Sequence, residues 1–146
     1  MSYSVDVNVL LYASDRKSEN YAAAILFLES RPSDPDIFCL FWPTLLSYLR
    51  MSTHPKLFSH PLSPQEAVAN IEALLNLPRV RVLSETEAFL AVYREVTQGF
   101  PVRGNLVPDA HLATLLKQHD VRRLYTADAD FRKFTFLEVI DPFKKI

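Results

Sequence analysis

Five short apolar runs, separated by segments with helical periodicity, constrain the fold of this chain more than any other feature. Each run is rich in Val, Ile, Leu or aromatic residues, and the five read "YSVDVNVLLYA", "IFCLFW", "RVRVL", "VRRLYT" and "LEVID". Such runs predict strands that are buried in a sheet. Because helical segments lie between them, the pattern predicts a three-layer α/β/α sandwich with a mostly parallel central sheet.

The helical segments carry recognisable start signals. Ser63 with Glu66 forms a capping box before "QEAVANIEALLNL", and Ser84 with Glu87 repeats that pattern before "ETEAFLAVYREVTQ". Asp109 is expected to open the helix "DAHLATLLKQH". With 146 residues and no linker or repeat, we expect a single domain spanning residues 1–146.

The composition excludes several classes of protein. With only 2 glycines, the chain cannot form a glycine-rich phosphate loop, which excludes P-loop enzymes and dinucleotide-binding folds. Cys39 is the only cysteine, so no internal disulfide forms and a reducing compartment fits. The start lacks the basic leader of a signal peptide, and no apolar stretch reaches the roughly 18 residues of a membrane span. We therefore expect a cytoplasmic protein without a membrane partner.

Aspartates occur where predicted strands end, and this is the pattern that points to chemistry. Asp6 lies within the first run, Asp109 follows the loop "RGNLVP", and Asp128 and Asp130 follow "RRLYT". Ligands of open parallel sheets bind at the carboxyl ends of the strands, so these acids could converge at one edge. Converging carboxylates repel one another unless a cation compensates, and oxygen ligands suit a hard divalent ion such as Mg²⁺.

Each acid also has a structural explanation. Asp109 could serve only as a residue favoured by the helix dipole, and Asp128 could cap the short helix that follows it. Asp130 is more easily explained as structural, because residues two apart do not share a helix face. Asp6 inside an apolar strand is the hardest to explain without a function. Together the acids favour a functional site.

At these residues the sequence resembles the PIN-domain ribonucleases, and in particular the toxins of VapBC-type toxin–antitoxin pairs. The resemblance runs in order through "DVNVLLYA", "YLRMSTHPKLF", "RGNLVPDAHLATL" and "LYTADADF". It implies a compact α/β/α fold, an acidic site dependent on Mg²⁺ or Mn²⁺, and endonucleolytic cleavage of RNA by a metal-activated water. It also implies a homodimer and a small VapB-like antitoxin that blocks the site.

The resemblance assigns roles to individual residues. It makes Asp6, Asp109 and Asp128 the catalytic, metal-binding acids and Asn8 a supporting polar residue, with Asp130 as a reserve ligand. The family usually has a glutamate in the helix after the second strand, where this chain has Ser47. One carboxylate fewer should weaken metal binding, unless Asp130 compensates or Ser47 contacts a water of the metal.

Basic side chains near these acids are candidates for binding RNA phosphates. The candidates are Arg50, which follows Ser47 by about one turn, Arg103 in the loop before Asp109, and Arg132 after the acid pair. The formal net charge is only −1, so RNA binding must come from such a local patch or from a bound cation.

Two alternatives to a ribonuclease stay open at this point. With Ser47 in the place of an acid, the chain could be a degenerate PIN domain that only binds RNA or an antitoxin. A phosphatase of the haloacid-dehalogenase type also begins with an aspartate at the end of its first strand. That class needs a second aspartate two residues later, where this chain has Asn8, so it is the weaker alternative.

Overall fold

The computed structural model describes residues 1–144 and contains a five-stranded sheet in which all strands are parallel. In space the strands follow the order β3-β2-β1-β4-β5. Their bounds are Ser2–Val5 for β1, Ile37–Phe41 for β2, Val80–Leu83 for β3, Arg123–Tyr125 for β4 and Glu138–Ile140 for β5. The chain order reverses at β1, so the neighbouring ends of β1 and β4 form the switch point where α/β sheets bind ligands.

Helices cover both faces of this sheet. They are α1 (Val7–Ser14), α2 (Tyr21–Glu29), α3 (Trp42–Ser52), α4 (Pro64–Leu75), α5 (Phe89–Val96) and α6 (Leu106–Gln118). Right-handed crossovers place the first four helices on one face and the last two on the other. The predicted three-layer α/β/α sandwich is thus confirmed, with a fully parallel sheet.

Each face of the sheet has its own apolar core, as β2 illustrates. Phe38 and Leu40 pack into the core beneath α1, α3 and α4. Cys39 and Phe41 point the other way, into the core formed with α6 and the segment around Phe131. A strand buried on both faces needs apolar residues at every position, which explains why its sequence does not alternate.

The composition of the first apolar run predicted one long strand, and this prediction is wrong. β1 ends at Val5, and α1 begins at Val7. Asp6 stands between them as the helix N-cap, and its carboxylate accepts a 2.7 Å hydrogen bond from the Val7 N–H. Helical residues such as Val9 and Leu10 are as buried as strand residues, so an unbroken apolar run did not reveal the change. Asp6 therefore has a structural role that the sequence argument missed.

The two predicted capping boxes had different outcomes. Ser63 and Glu66 make both reciprocal hydrogen bonds at the start of α4, which confirms the first. The second is wrong: α5 begins only at Phe89, after Ala88 in the left-handed region with φ 63°. The backbone of residues 86 and 87 instead bonds to the side-chain amide of Gln118 on α6. Tertiary contacts thus replace the local cap.

Helix α6 starts three residues earlier than predicted. Leu106 is its first residue, so Asp109 lies within the first turn and does not open the helix. Within residues 1–144, no helix combines the length and the apolar composition needed to cross a membrane.

Candidate active site

The site lies at the carboxyl ends of β1 and β4. Val5 pairs with Tyr125 in the last register position, so the chain leaves both strands at the same level of the sheet. The Asp6 N–H still donates to the Tyr125 carbonyl, at 3.0 Å. The next residues, Asp6 and Thr126, are therefore neighbours although 120 positions separate them.

Thr126 joins the two strand ends through its hydroxyl. Its Oγ1 donates to Asp6 Oδ2 at 2.9 Å and accepts from the Asn8 side-chain amide and the Asp128 N–H, each at 3.0 Å. The residue is only 1% exposed, so these bonds form away from bulk water. Thr126 was not predicted as a site residue, although its place between a strand and two acids was a usable signal.

Asn8 completes this hydrogen-bonded half of the site, which we define as Asp6, Asn8 and Thr126. Its amide nitrogen also donates to Asp6 Oδ2 at 3.1 Å, and its Oδ1 accepts from the Ala127 N–H at 3.4 Å. The amide thus bridges α1 and the segment after β4, a role that requires donor and acceptor together. The second aspartate of a dehalogenase-type phosphatase could not donate these bonds when ionised.

The second half of the site, here called the open half, consists of Asp109, Asp128 and Asp130. One carboxylate oxygen from each lies within 4.8 Å of the others. Asp109 comes from the first turn of α6. Asp128 caps the 3₁₀ turn Ala129–Lys133, and its Oδ1 accepts from the Asp130 N–H at 2.9 Å.

Asp128 and Asp130 do not diverge as two residues of one helix would, so the prediction that Asp130 is only structural loses its basis. Asp128 precedes the turn with extended backbone, at φ −89° and ψ 110°, so it is not on a helix face at all. The carboxylates of Asp128 and Asp130 therefore lie side by side with that of Asp109. Asp6 is not one of these three, and its oxygens already accept bonds from Val7, Asn8 and Thr126.

Electrostatics nevertheless link the two halves. Burial, followed by the charges of Asp128, Asp6 and Asp130, raises the pKa of Asp109 to about 7. Burial is also the main cause that raises the pKa of Asp6, with a smaller contribution from Asp128, while bonds from Thr126 and Val7 oppose the shift. The site is therefore crowded with negative charge.

This donor set fits a hard divalent cation. Three carboxylate oxygens within 4.8 Å of one another are the ligand type that Mg²⁺ and Mn²⁺ prefer. Burial, and after it the charges of Asp128, Asp6 and Asp130, raise the pKa of Asp109, and a bound cation would offset both effects. The residues present thus fit the metal that the resemblance implied.

The remaining candidates lie at different distances from this edge. Arg103 is exposed in the loop before α6, and Arg132 is exposed in the turn that Asp128 caps. Ser47 is half-buried on α3. Arg50 lies in the last turn of that helix, about 12 Å along the axis from its start at the edge of the sheet. Arg50 is therefore a weaker candidate than its sequence position suggested.

Comparison with known proteins agrees with this geometry. The sequence model of the PIN domain matches residues 3–137. The chain belongs to the PIN-domain family. This PIN domain is also 43% identical to Ribonuclease VapC48 of Mycobacterium tuberculosis, over 98% of this chain and 99% of that protein. That identity makes it a member of the VapC branch of the family.

Solved structures share the fold of this PIN domain at low sequence identity. The Sarcin-Ricin loop cleaving toxin VapC20 of M. tuberculosis superposes with a TM-score of 0.68 at 19% identity, over 95% of this chain and 99% of that chain. VapBC-1 from nontypeable Haemophilus influenzae gives 0.66 at 21% identity, over 99% and 100%.

Proposed function

We propose that this PIN domain is a metal-dependent endoribonuclease and the toxin of a type II toxin–antitoxin pair. The observation that carries the proposal is the open half: three converging carboxylates at the switch point of the sheet. The 43% identity to a protein named as a ribonuclease supports RNA as the substrate. VapC20 shares the fold but is only 19% identical to this chain, so the proposal does not include its RNA target.

The residues have distinct roles in this proposal. Asp109, Asp128 and Asp130 would hold Mg²⁺ or Mn²⁺, with Asp6 as a further acid beside them. Such an ion supplies an activated water and stabilises charge on the phosphate. Thr126 and Asn8 position Asp6 and the residues that lead into the 3₁₀ turn capped by Asp128. An ionised Asp109 or Asp128 would orient the water or accept its proton, as general-base catalysis requires.

Cleavage of a panel of structured RNAs tests the proposal. We expect cleavage with Mg²⁺ or Mn²⁺, none with EDTA, and none by Asp6→Asn. A matched control is Asp141→Asn, which changes an aspartate beyond β5, outside both halves of the site. If wild type and Asp6→Asn cleave RNA equally well, the catalytic role of Asp6 is wrong. If neither cleaves RNA, the chain is a degenerate PIN domain that binds RNA or an antitoxin, an alternative that Ser47 favours.

We also infer a VapB-like antitoxin and a place where it docks. An open groove of about 510 Å³ lies between α1, α2 and α4, lined by apolar residues that include Ile25, Leu28 and Ala73. Tyr48 OH bonds to Ser14 Oγ at 2.6 Å and to Asn70 Nδ2 at 2.9 Å on its wall. An amphipathic partner segment could cover this surface.

Co-purification with the product of the neighbouring reading frame tests the antitoxin. Ala73→Arg should abolish co-purification and leave RNA cleavage intact, because the groove is separate from the acids. Retention of the partner by Ala73→Arg would rule the groove out.

A homodimer is also part of the proposal. Trp42, at 45% exposed, and Leu46 share one face of α3, where a second copy could pack. Light scattering of wild type and Leu46→Glu would test that face.

A further inference from the structure

Lys133 ends the 3₁₀ turn that begins after Asp128, and it faces back along that turn. Its Nζ lies 3.9 Å from Asp130 Oδ1, and the side chain is 51% exposed. Asp130 contributes one of the three clustered oxygens of the open half. A positive charge is therefore already present next to the carboxylates that would hold the metal.

The effect of Lys133 extends beyond its ion pair with Asp130. Its charge opposes the rise in the pKa of Asp109, a residue of another element. An ammonium group this close partly neutralises the repulsion among the three acids. Arg132, its neighbour, is exposed and makes no ion pair within residues 1–144, so it is a suitable comparison for Lys133.

We propose that Lys133 is an exchanging counter-ion, paired with Asp130 in the metal-free site and released to an RNA phosphate when a divalent cation binds. The proposal rests on the proposed function, since it requires a metal at the open half and RNA above it. A divalent ion held by Asp109, Asp128 and Asp130 would compete with the ammonium group for the Asp130 carboxylate. The long, flexible lysine stem would let Nζ move from Asp130 to a phosphate of the bound RNA.

The chemistry of lysine suits this exchange. An ammonium is a compact charge that leaves a single carboxylate oxygen easily. Half-exposed ion pairs of this kind are weak, so displacement by a divalent ion costs little. Lys133 would thus lower metal affinity but increase affinity for RNA, two opposite effects that a purely structural residue would not have.

Titration with Mn²⁺, followed by isothermal calorimetry, tests the first effect without any cleavage assay. Lys133→Met should bind Mn²⁺ about threefold to tenfold more tightly than wild type at low ionic strength. Lys133→Arg, which keeps the charge, and Arg132→Met, which removes the adjacent unpaired charge, should each stay within about twofold.

Binding of a short labelled oligouridylate tests the second effect. Fluorescence anisotropy would be measured with Ca²⁺, after a gel has shown that the RNA stays intact. Lys133→Met should bind more weakly, and the slope of log affinity against log salt should fall by about 0.7, as expected for one lost phosphate contact. Lys133→Arg should keep the wild-type slope.

The outcomes separate this inference from the function on which it rests. Unchanged or weaker Mn²⁺ binding by Lys133→Met would overturn the counter-ion role. An unchanged salt slope would overturn the phosphate contact and with it the exchange. Wild type that binds no Mn²⁺ at all would overturn both the inference and the metal-dependent function, a result distinct from the other two.

Discussion

The two halves of the site are built from the same residue type but are held in different ways. Asp6 has both carboxylate oxygens engaged, by the Val7 N–H and by the side chains of Asn8 and Thr126. In the open half, by contrast, three carboxylates converge, and the side-chain cation paired with them within residues 1–144 is the half-exposed Lys133, 3.9 Å from Asp130. Adjacent acids of one site thus have different roles: Asp6 holds the two strand ends together, and the acids of the open half remain available to a cation.

The sharpest test of this division is Asp109→Asn. We expect RNA cleavage to fall about 100-fold or more and Mn²⁺ affinity to fall at least about tenfold, because a ligand is lost. In EDTA at pH 8 the same variant should melt at a higher temperature than wild type, since like-charge repulsion is relieved. Cleavage assays and thermal melts measure the two effects. A lower Tm in EDTA would instead assign Asp109 a structural role.

Asp6→Ala, unlike Asp109→Asn, should strongly destabilise the folded protein in EDTA. The substitution removes the N-cap of α1 and leaves the Thr126 hydroxyl and the Asn8 amide short of a partner. We expect the free energy of unfolding to fall by about 2–3 kcal/mol. Urea denaturation in EDTA measures it, with Asp130→Ala as the matched control from the open half.

Asp130→Ala should stay within about 0.5 kcal/mol of wild type, because an exposed acid is removed. Equal destabilisation by Asp6→Ala and Asp130→Ala would contradict the division between the halves.

The pH dependence of stability should report the open half. Asp109 has a folded-state pKa of about 7, above its ordinary value near 4, so the folded protein holds a proton that the unfolded chain releases. Stability in EDTA should therefore fall as pH rises from about 4 through 7, by about 1–3 kcal/mol after allowance for solvent screening. Denaturation at pH 5 and pH 8 measures this. In Asp109→Asn the free energy of unfolding should change much less between these two pH values. An equally large change in that variant would show that another group takes up the proton.

The fold could be predicted because it depends on local patterns repeated along the chain. Five apolar runs separated by helices admit few arrangements other than a parallel sheet covered on both faces. The switch from strand to helix at Asp6 could not be predicted from periodicity, because Val9 and Leu10 are buried in either conformation. Likewise the segment before Phe89 follows contacts with Gln118, which is distant in sequence.

The sequence identified the strand-end aspartates as candidates, but it revealed neither Thr126 nor the arrangement of the carboxylates. Strand-end aspartates were visible in the sequence, as was the resemblance that ordered them. Which oxygens converge depends on one backbone conformation, the extended cap at Asp128, and on a hydroxyl that bonds across two strands. Such details arise from tertiary packing, so the metal-binding roles of Asp6, Asp109, Asp128 and Asp130 remain predictions to be tested.

Thr126→Val tests the link between the halves with a change of similar volume. The buried hydroxyl is lost, and three polar partners lose a bond, so we expect a cost of about 1–2 kcal/mol in stability. Mn²⁺ affinity should fall about threefold to tenfold, because Asp128 loses the contact that holds its N–H. Thr126→Ser, which keeps the hydroxyl, should restore both quantities. Equal stability and equal Mn²⁺ affinity of the Val and Ser variants would show that the Thr126 hydroxyl has no role in the site.

Ser47→Glu is expected to have the smallest effect. It tests whether a further carboxylate at position 47 would strengthen metal binding by the open half. If Ser47 occupies the place of the usual family acid, the new carboxylate should raise Mn²⁺ affinity about threefold, since affinity follows ligand charge. Ser47→Gln is the matched control with the same size and no charge. In the Asp130→Ala background the gain from Ser47→Glu should be larger, because the acids would substitute for one another. Equal gains in both backgrounds would show that Asp130 does not compensate for the absent glutamate.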